Sequence, residues 1–169
     1  MAISMYTASV PVFLQLLGGL KGTLQKAEAH CTEKKFDNAT IMNLRFYPDM
    51  FPLARQVRQV CQHALGAATV AGVAAPQLPD MDTSFAEMQS RIDKTIDCLK
   101  GLSPSQLDGK EDSTVSITAG GQQRQFKAQN YLYHFAMPNF YFHTTTAYDL
   151  LRHIGVEIGK RDFMGQMPS

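Results

Sequence analysis

The chain has 169 residues, 44% apolar and 18% charged, an ordinary composition for one globular domain able to bury its own core. Sixteen basic residues against fifteen acidic ones leave a formal charge of +1, without the concentrated basic surface that phosphate backbones need. Nucleic acid is therefore not an expected partner. Cys31, Cys61 and Cys98 stand far apart with no zinc or redox spacing, as expected of free, mostly buried thiols in a reducing compartment.

The opening MAISMYTASVPVFLQLLGGL is apolar but has no basic start and no small-residue cleavage pattern. Polar residues interrupt it before it could span a bilayer. It reads as a bundle helix of a cytoplasmic protein, neither an export signal nor a membrane anchor. A short helical turn from Ala2 can precede it. The helix proper is expected over Ser9 to Cys31, with the stripe Phe13, Leu16, Leu17, Leu20, Leu24 and Ala27. Ser9 is the expected cap, and Pro11 falls in the first turn, where N–H groups lack helical partners. Gly18, Gly19 and Gly22 each weaken a helix by about 1 kcal/mol relative to Ala, so they are expected where a neighbouring helix comes close.

Thr32 to Asn43 is a polar link. Asp49 is the expected N-cap of the second helix, which places Pro52 in its first turn. The stripe Met50, Leu53, Val57, Val60, Cys61, Ala64 and Ala68 then recurs with helical period, until the proline-rich VAAPQLPDMD ends it. Ser84 and Glu87 form an S-x-x-E capping box. Behind it Phe85, Met88, Ile92, Ile96, Leu99 and Leu102 make the third helix, and Ser103-Pro104 ends it with one extra turn. From Ser113 the pattern turns to β-branched alternation. With Gly120-Gly121 as a tight turn, residues 113–127 form a small hairpin that must rest on the bundle. The last helix is expected from Gln129 to Ile154, stopped by Gly155, with a surface tail from Val156 to Ser169 pinned by Phe163. Four helices with short or moderate connections make one domain over 1–169, a mainly α antiparallel four-helix bundle with a hairpin between helices three and four.

The fourth helix carries the candidate chemistry. Asn139 and His143 lie four residues apart on the apolar stripe of Leu132, Phe135, Ala147, Leu150, Leu151 and Ile154, so both face the bundle. Pro138 cannot donate to His134 and should kink the helix beside them. His143 is open to three roles: a buried histidine bonded to another helix, a ligand contact, or a metal ligand. Asn139 is a pin between helices or a ligand group, and His134 and Asp49 are structural unless they join the site. His30, His63 and His153 lie near helix ends and are expected to be exposed. No nucleophile elbow, phosphate loop or dinucleotide fingerprint occurs; the GGLKG at Gly18 lies within a helical pattern.

The stretch NFYFHTTTAYDLLRHIGV resembles the last helix of the DinB/YfiT-like superfamily. There a HxxxH pair on that helix and a histidine from the second helix hold a metal. YPDMFPLARQV, PNFYFH, LRHxGV and GKRDFMG resemble more closely an uncharacterised bacterial branch, a family of unknown function. The resemblance implies a four-helix bundle and, in the superfamily, dimers and metal-dependent thiol transfer or hydrolase-like reactions. This chain departs from the pattern: Asn139 replaces the first histidine, His143 keeps the second, and Arg55 or Gln56 falls at the third ligand position. One His and one Asn do not make the three protein ligands of a catalytic zinc, usually His, Cys or carboxylate; Asp49 or His134 would have to compensate. The expected function is a small-molecule-binding or structural domain with a polar pocket around His143, Asn139, Gln56, Asp49 and His134, without the three-histidine site and with no cofactor. The alternative is a metal-dependent enzyme with zinc or nickel on His143. Ten Phe and nine Met add surface suited to a homodimer.

Overall fold

The computed structural model describes residues 3–167; Ala2 and the final Pro168 and Ser169 fall outside the described residues. The elements in chain order are α1 (Val10–Lys34), α2 (Asn38–Met42), α3 (Leu53–Ala64), α4 (Gly66–Ala71), α5 (Phe85–Lys100) and α6 (Pro104–Leu107). The hairpin β1 (Thr114–Ala119) and β2 (Gln122–Lys127), α7 (Ala128–Asn130), a π-helical segment Tyr131–Ala136, α8 (Met137–His153) and α9 (Lys160–Met164) complete the chain. The bundle consists of α1, α3, α5 and α8, each packed on its two neighbours, with α3 lying mainly on α8 and α1 on α5. The expected stripes supply the core. Phe13 of α1 meets Phe140 of α8 edge to face at 4.8 Å, among Leu17, Leu24, Val57, Val60, Met88, Ile92, Leu99 and Leu150, all buried. Cys31 and Cys61 are buried free thiols, and burial pushes Cys61 up to about 12. Among the described residues no helix is long and apolar enough to cross a membrane.

Several local expectations need correction. Ser9 stands at the N-cap of α1, but its hydroxyl donates to the Met5 carbonyl at 2.6 Å, closing the preceding turn instead of capping the helix. The link expected from Thr32 is helical to Lys34, and α2 follows, capped by Asp37, which accepts from the Thr40 N–H at 2.8 Å. Asp49 is exposed and caps nothing; Pro52, extended at φ −71° and ψ 165°, occupies the N-cap of α3. Ser84 caps α5 as expected, whereas Glu87 reaches one residue past it and accepts from the Thr83 N–H. Of the three glycines in α1, only Gly19 touches another element. It faces the backbone of α9, where an added Cβ would overlap the Phe163 carbonyl; Gly18 and Gly22 face open space.

The hairpin has the expected two-residue turn, with Gly120 and Gly121 at φ 60° and 75°, the doubly left-handed geometry that matches strand twist. It rests on the bundle through Phe126, whose ring lies 6.0 Å from Tyr131 and 5.7 Å from Phe135. The last helix is not one continuous α-helix. Its turn before Met137 is π-wound, next to Pro138, which has no N–H with which to continue the α ladder. Here α4 comes close, because at Gly66 a Cβ would already meet the Tyr131 hydroxyl at 3.0 Å and the Ala136 Cβ at 3.1 Å. Gly155, at φ 92°, ends α8, and the Val156 N–H returns to the Leu151 carbonyl at 3.2 Å.

Candidate functional site

An open cleft of about 830 Å³ lies between α3, the π segment, the start of α8, the hairpin and the loop from Val73 to Ser84. Its floor is a column of flat groups. The Arg55 guanidinium lies 3.7 Å over the Phe51 ring. Phe51 is parallel to His143 at 6.1 Å, and His143 is parallel to His63 at 5.6 Å. Phe135 meets His63 edge-on at 5.6 Å.

His143 is only 7% exposed and its Nδ1 lies 2.7 Å from Gln56 Oε1. Gln56 Nε2 donates to the Phe51 carbonyl at 2.9 Å, which leaves its Oε1 as acceptor. The proton of His143 is therefore assigned to Nδ1, and Nε2 carries a free lone pair. Gln56 is itself buried, so this bond between α3 and α8 satisfies two desolvated groups at once. His63 is 8% exposed and forms no side-chain hydrogen bond among the described residues. No fully buried side-chain nitrogen or oxygen there lacks a partner, so the His63 nitrogens reach the cleft, which the ring lines. Burial holds both imidazoles at about 4, and for His63 the neighbouring His143 adds to the effect. Near neutral pH both are uncharged hydrogen-bonding groups and weak bases.

Asn139 is half-buried on the cleft wall, with Nδ2 donating to the Phe135 carbonyl at 2.7 Å. That bond lies within its own helix, so Asn139 is not the pin to another helix that its phase suggested. His134 and Asp49 are exposed and do not line the cleft. His63, expected to be exposed, is instead a central member of the site. Its spacing from Gln56, seven residues along one helix, places both on one face, and this is the signal that could have found it. The outer wall is held by arginines. Arg91, 3% exposed, binds Asp82 through Nε at 2.6 Å and Nη2 at 3.1 Å. Arg58 donates to the Asp80 carbonyl at 2.8 Å. On the far side of Arg55 and Arg58 a second cavity of about 420 Å³ opens toward Met42 and Arg45.

The profile of a family described as a domain of unknown function, DUF1993, matches residues 5–164. The chain belongs to that family. A solved structure similar to it is the crystal structure of a DinB family member protein from Shewanella denitrificans. That protein is 36% identical, with a TM-score of 0.85, and the match covers 98% of this chain and 94% of the other. No curated protein matches the sequence.

The DinB-like fold thus places Asn139 and His143 on α8 and His63 on α3 around one cleft. Among the described residues no group of three or more His, Cys, Asp or Glu side chains is placed to hold a metal ion. Two imidazoles, one of them already bonded through Nδ1 to Gln56, fall short of the three protein ligands of a typical catalytic zinc. The donor set does not fit such a metal.

Proposed function

We propose that this DinB-like domain binds a small molecule in the cleft above His63 and His143, in place of a three-histidine metal centre. The observation that carries this reading is the pair of neutral imidazoles, each more than nine-tenths buried yet opening on one cleft. A histidine kept only for packing would bond both nitrogens or be replaced by an apolar ring, since an unused polar atom of limited solvation costs stability. Polar groups converging in a concave, partly aromatic site are the usual form of a small-ligand pocket. Asn139, Gln59 and Gln62 add amides to the same wall.

The test is nitrogen-detected NMR of the imidazoles during titration with a library of small soluble fragments, on wild type and His143→Ala. The reading expects saturable shifts at His63 and His143, and a loss of fragment affinity in the variant that exceeds its loss of stability. A drop in stability with no fragment ever moving the imidazoles would leave His143 as a structural pin. We further propose a cytoplasmic homodimer, in which the exposed aromatics Phe46, Tyr47 and Phe142 lose water. A monomer in light scattering at micromolar concentration would remove that proposal.

A further inference from the structure

The charges around the cleft narrow the kind of molecule it would take. The charged residues on its walls are Arg55, Arg58, Arg91 and Asp80. Arg91 is compensated by buried Asp82. Arg58 stands 3.5 Å from the carboxylate of Asp80, itself 99% exposed. Arg55 has no carboxylate within salt-bridge distance and no side-chain hydrogen bond among the described residues, and its guanidinium carbon lies 3.7 Å from the centre of the Phe51 ring, so its N–H groups remain available to a planar acceptor. The surplus at this end is one positive charge. The inner end carries none, because both imidazoles are neutral near pH 7, and it offers the lone pair of His143 Nε2 and both nitrogens of His63. Between Arg55 and His143 lies the Phe51 ring, parallel to His143 at 6.1 Å; Phe135 lies past His63, and Leu78 and Ile117 also line the cleft.

We propose that the cleft is selective for a small monocarboxylate that also carries a hydroxyl or N–H donor. Its carboxylate would pair with Arg55 at the mouth, its apolar body would lie along the edge of the Phe51 ring, and its donor would bond His143 Nε2. This inference rests on the small-molecule reading above. A carboxylate suits the site because the guanidinium fork matches its planar oxygens, and a single negative charge balances the surplus of one. A phosphate dianion would leave charge uncompensated. The donor is required because His143 has no proton on Nε2 to give, so a bare carbonyl placed there would face lone pair against lone pair.

The probes are para-hydroxybenzoate, its neutral amide para-hydroxybenzamide, and benzoate, titrated into the full chain and followed by the imidazole nitrogens of His63 and His143. We expect para-hydroxybenzoate to shift the His143 Nε2 resonance saturably and to bind about tenfold or more tightly than the other two probes, the factor expected from one charge-assisted or buried hydrogen bond. Arg55→Gln, at an exposed position, should remove the preference for carboxylate over amide while lowering the melting temperature by no more than a few degrees, the loss of one exposed cation–π contact. Equal binding of hydroxybenzoate and hydroxybenzamide at the imidazoles would overturn the carboxylate assignment and leave the ligand cleft standing. Equal binding of benzoate and hydroxybenzoate would overturn the donor requirement, and with it the proposal. If neither these probes nor neutral fragments move the imidazoles, the cleft reading and the proposal fall together.

Discussion

Acidification should destabilise the protein through His63 and His143, and one variant isolates that effect. Both imidazoles are held near 4 in the folded chain, against an ordinary value of 6.5. Between these values the unfolded chain binds more protons than the folded one, so stability rises with pH across the window. The contribution is complete above about pH 6.5 and is lost as the pH falls toward 4. One pKa unit corresponds to about 1.4 kcal/mol, so the loss approaches about 3 kcal/mol for each ring. The two losses are coupled, because protonating one ring opposes protonation of its stacked neighbour. Replacing His63 with Phe keeps a flat ring against His143 and removes one titrating group. Urea unfolding of wild type and His63→Phe at intervals from about pH 7 to about pH 4 should give a wild-type curve that falls more steeply, by about 2–3 kcal/mol across the window. Carboxylates contribute equally to both proteins and cancel in the difference. Parallel curves, or an NMR titration midpoint for His63 near 6.5, would refute the burial argument.

Gln56→Leu removes the acceptor of His143 Nδ1 and the donor to Phe51; thermal or urea unfolding should register a loss of about 1–3 kcal/mol, with the His143 tautomer no longer fixed in NMR spectra. Asp82→Ala strands the buried Arg91 guanidinium and should cost about 3–5 kcal/mol in the same assay, with faster amide exchange in the loop from Val73 to Ser84. In α1 the glycines should divide. Gly18→Ala faces open space and should stabilise by about 0.5–1 kcal/mol, whereas Gly19→Ala should destabilise and release α9, seen as faster amide exchange over Lys160–Met164.

The bundle was legible because four segments repeat apolar residues with helical period, and the hairpin because Gly-Gly sits between alternating runs. What escaped was set by local winding and by contacts between elements. The sequence pattern puts Pro52 in a first turn behind an Asp49 cap, yet its own extended backbone ends the non-helical stretch. The single stripe drawn through Phe135 and Leu150 assumed one winding. The π segment shifts the phase before Met137, so Phe135 lines the cleft while Leu132 and Ala136 are buried. No periodicity announces that change; only Pro138 hinted at an interruption. The site was half legible: helical phase correctly turned His143 inward against α3 near Gln56. His63 escapes that reading because a histidine near a helix end is unremarkable when exposed, although the apolar stripe runs on past it to Ala68. The break at Leu65 instead leads into α4, which folds on beside the cleft.

The His63–His143 cleft takes either small molecules or a metal, and the two occupants are separable by experiment. Elemental analysis of natively purified protein, followed by zinc and nickel titration read on both imidazoles, addresses this in one series. We predict less than stoichiometric metal, no saturable metal-induced shift of His143, and Nε2 left free to respond to added small molecules. One tightly held zinc or nickel per chain, lost on His143→Ala, would contradict the account.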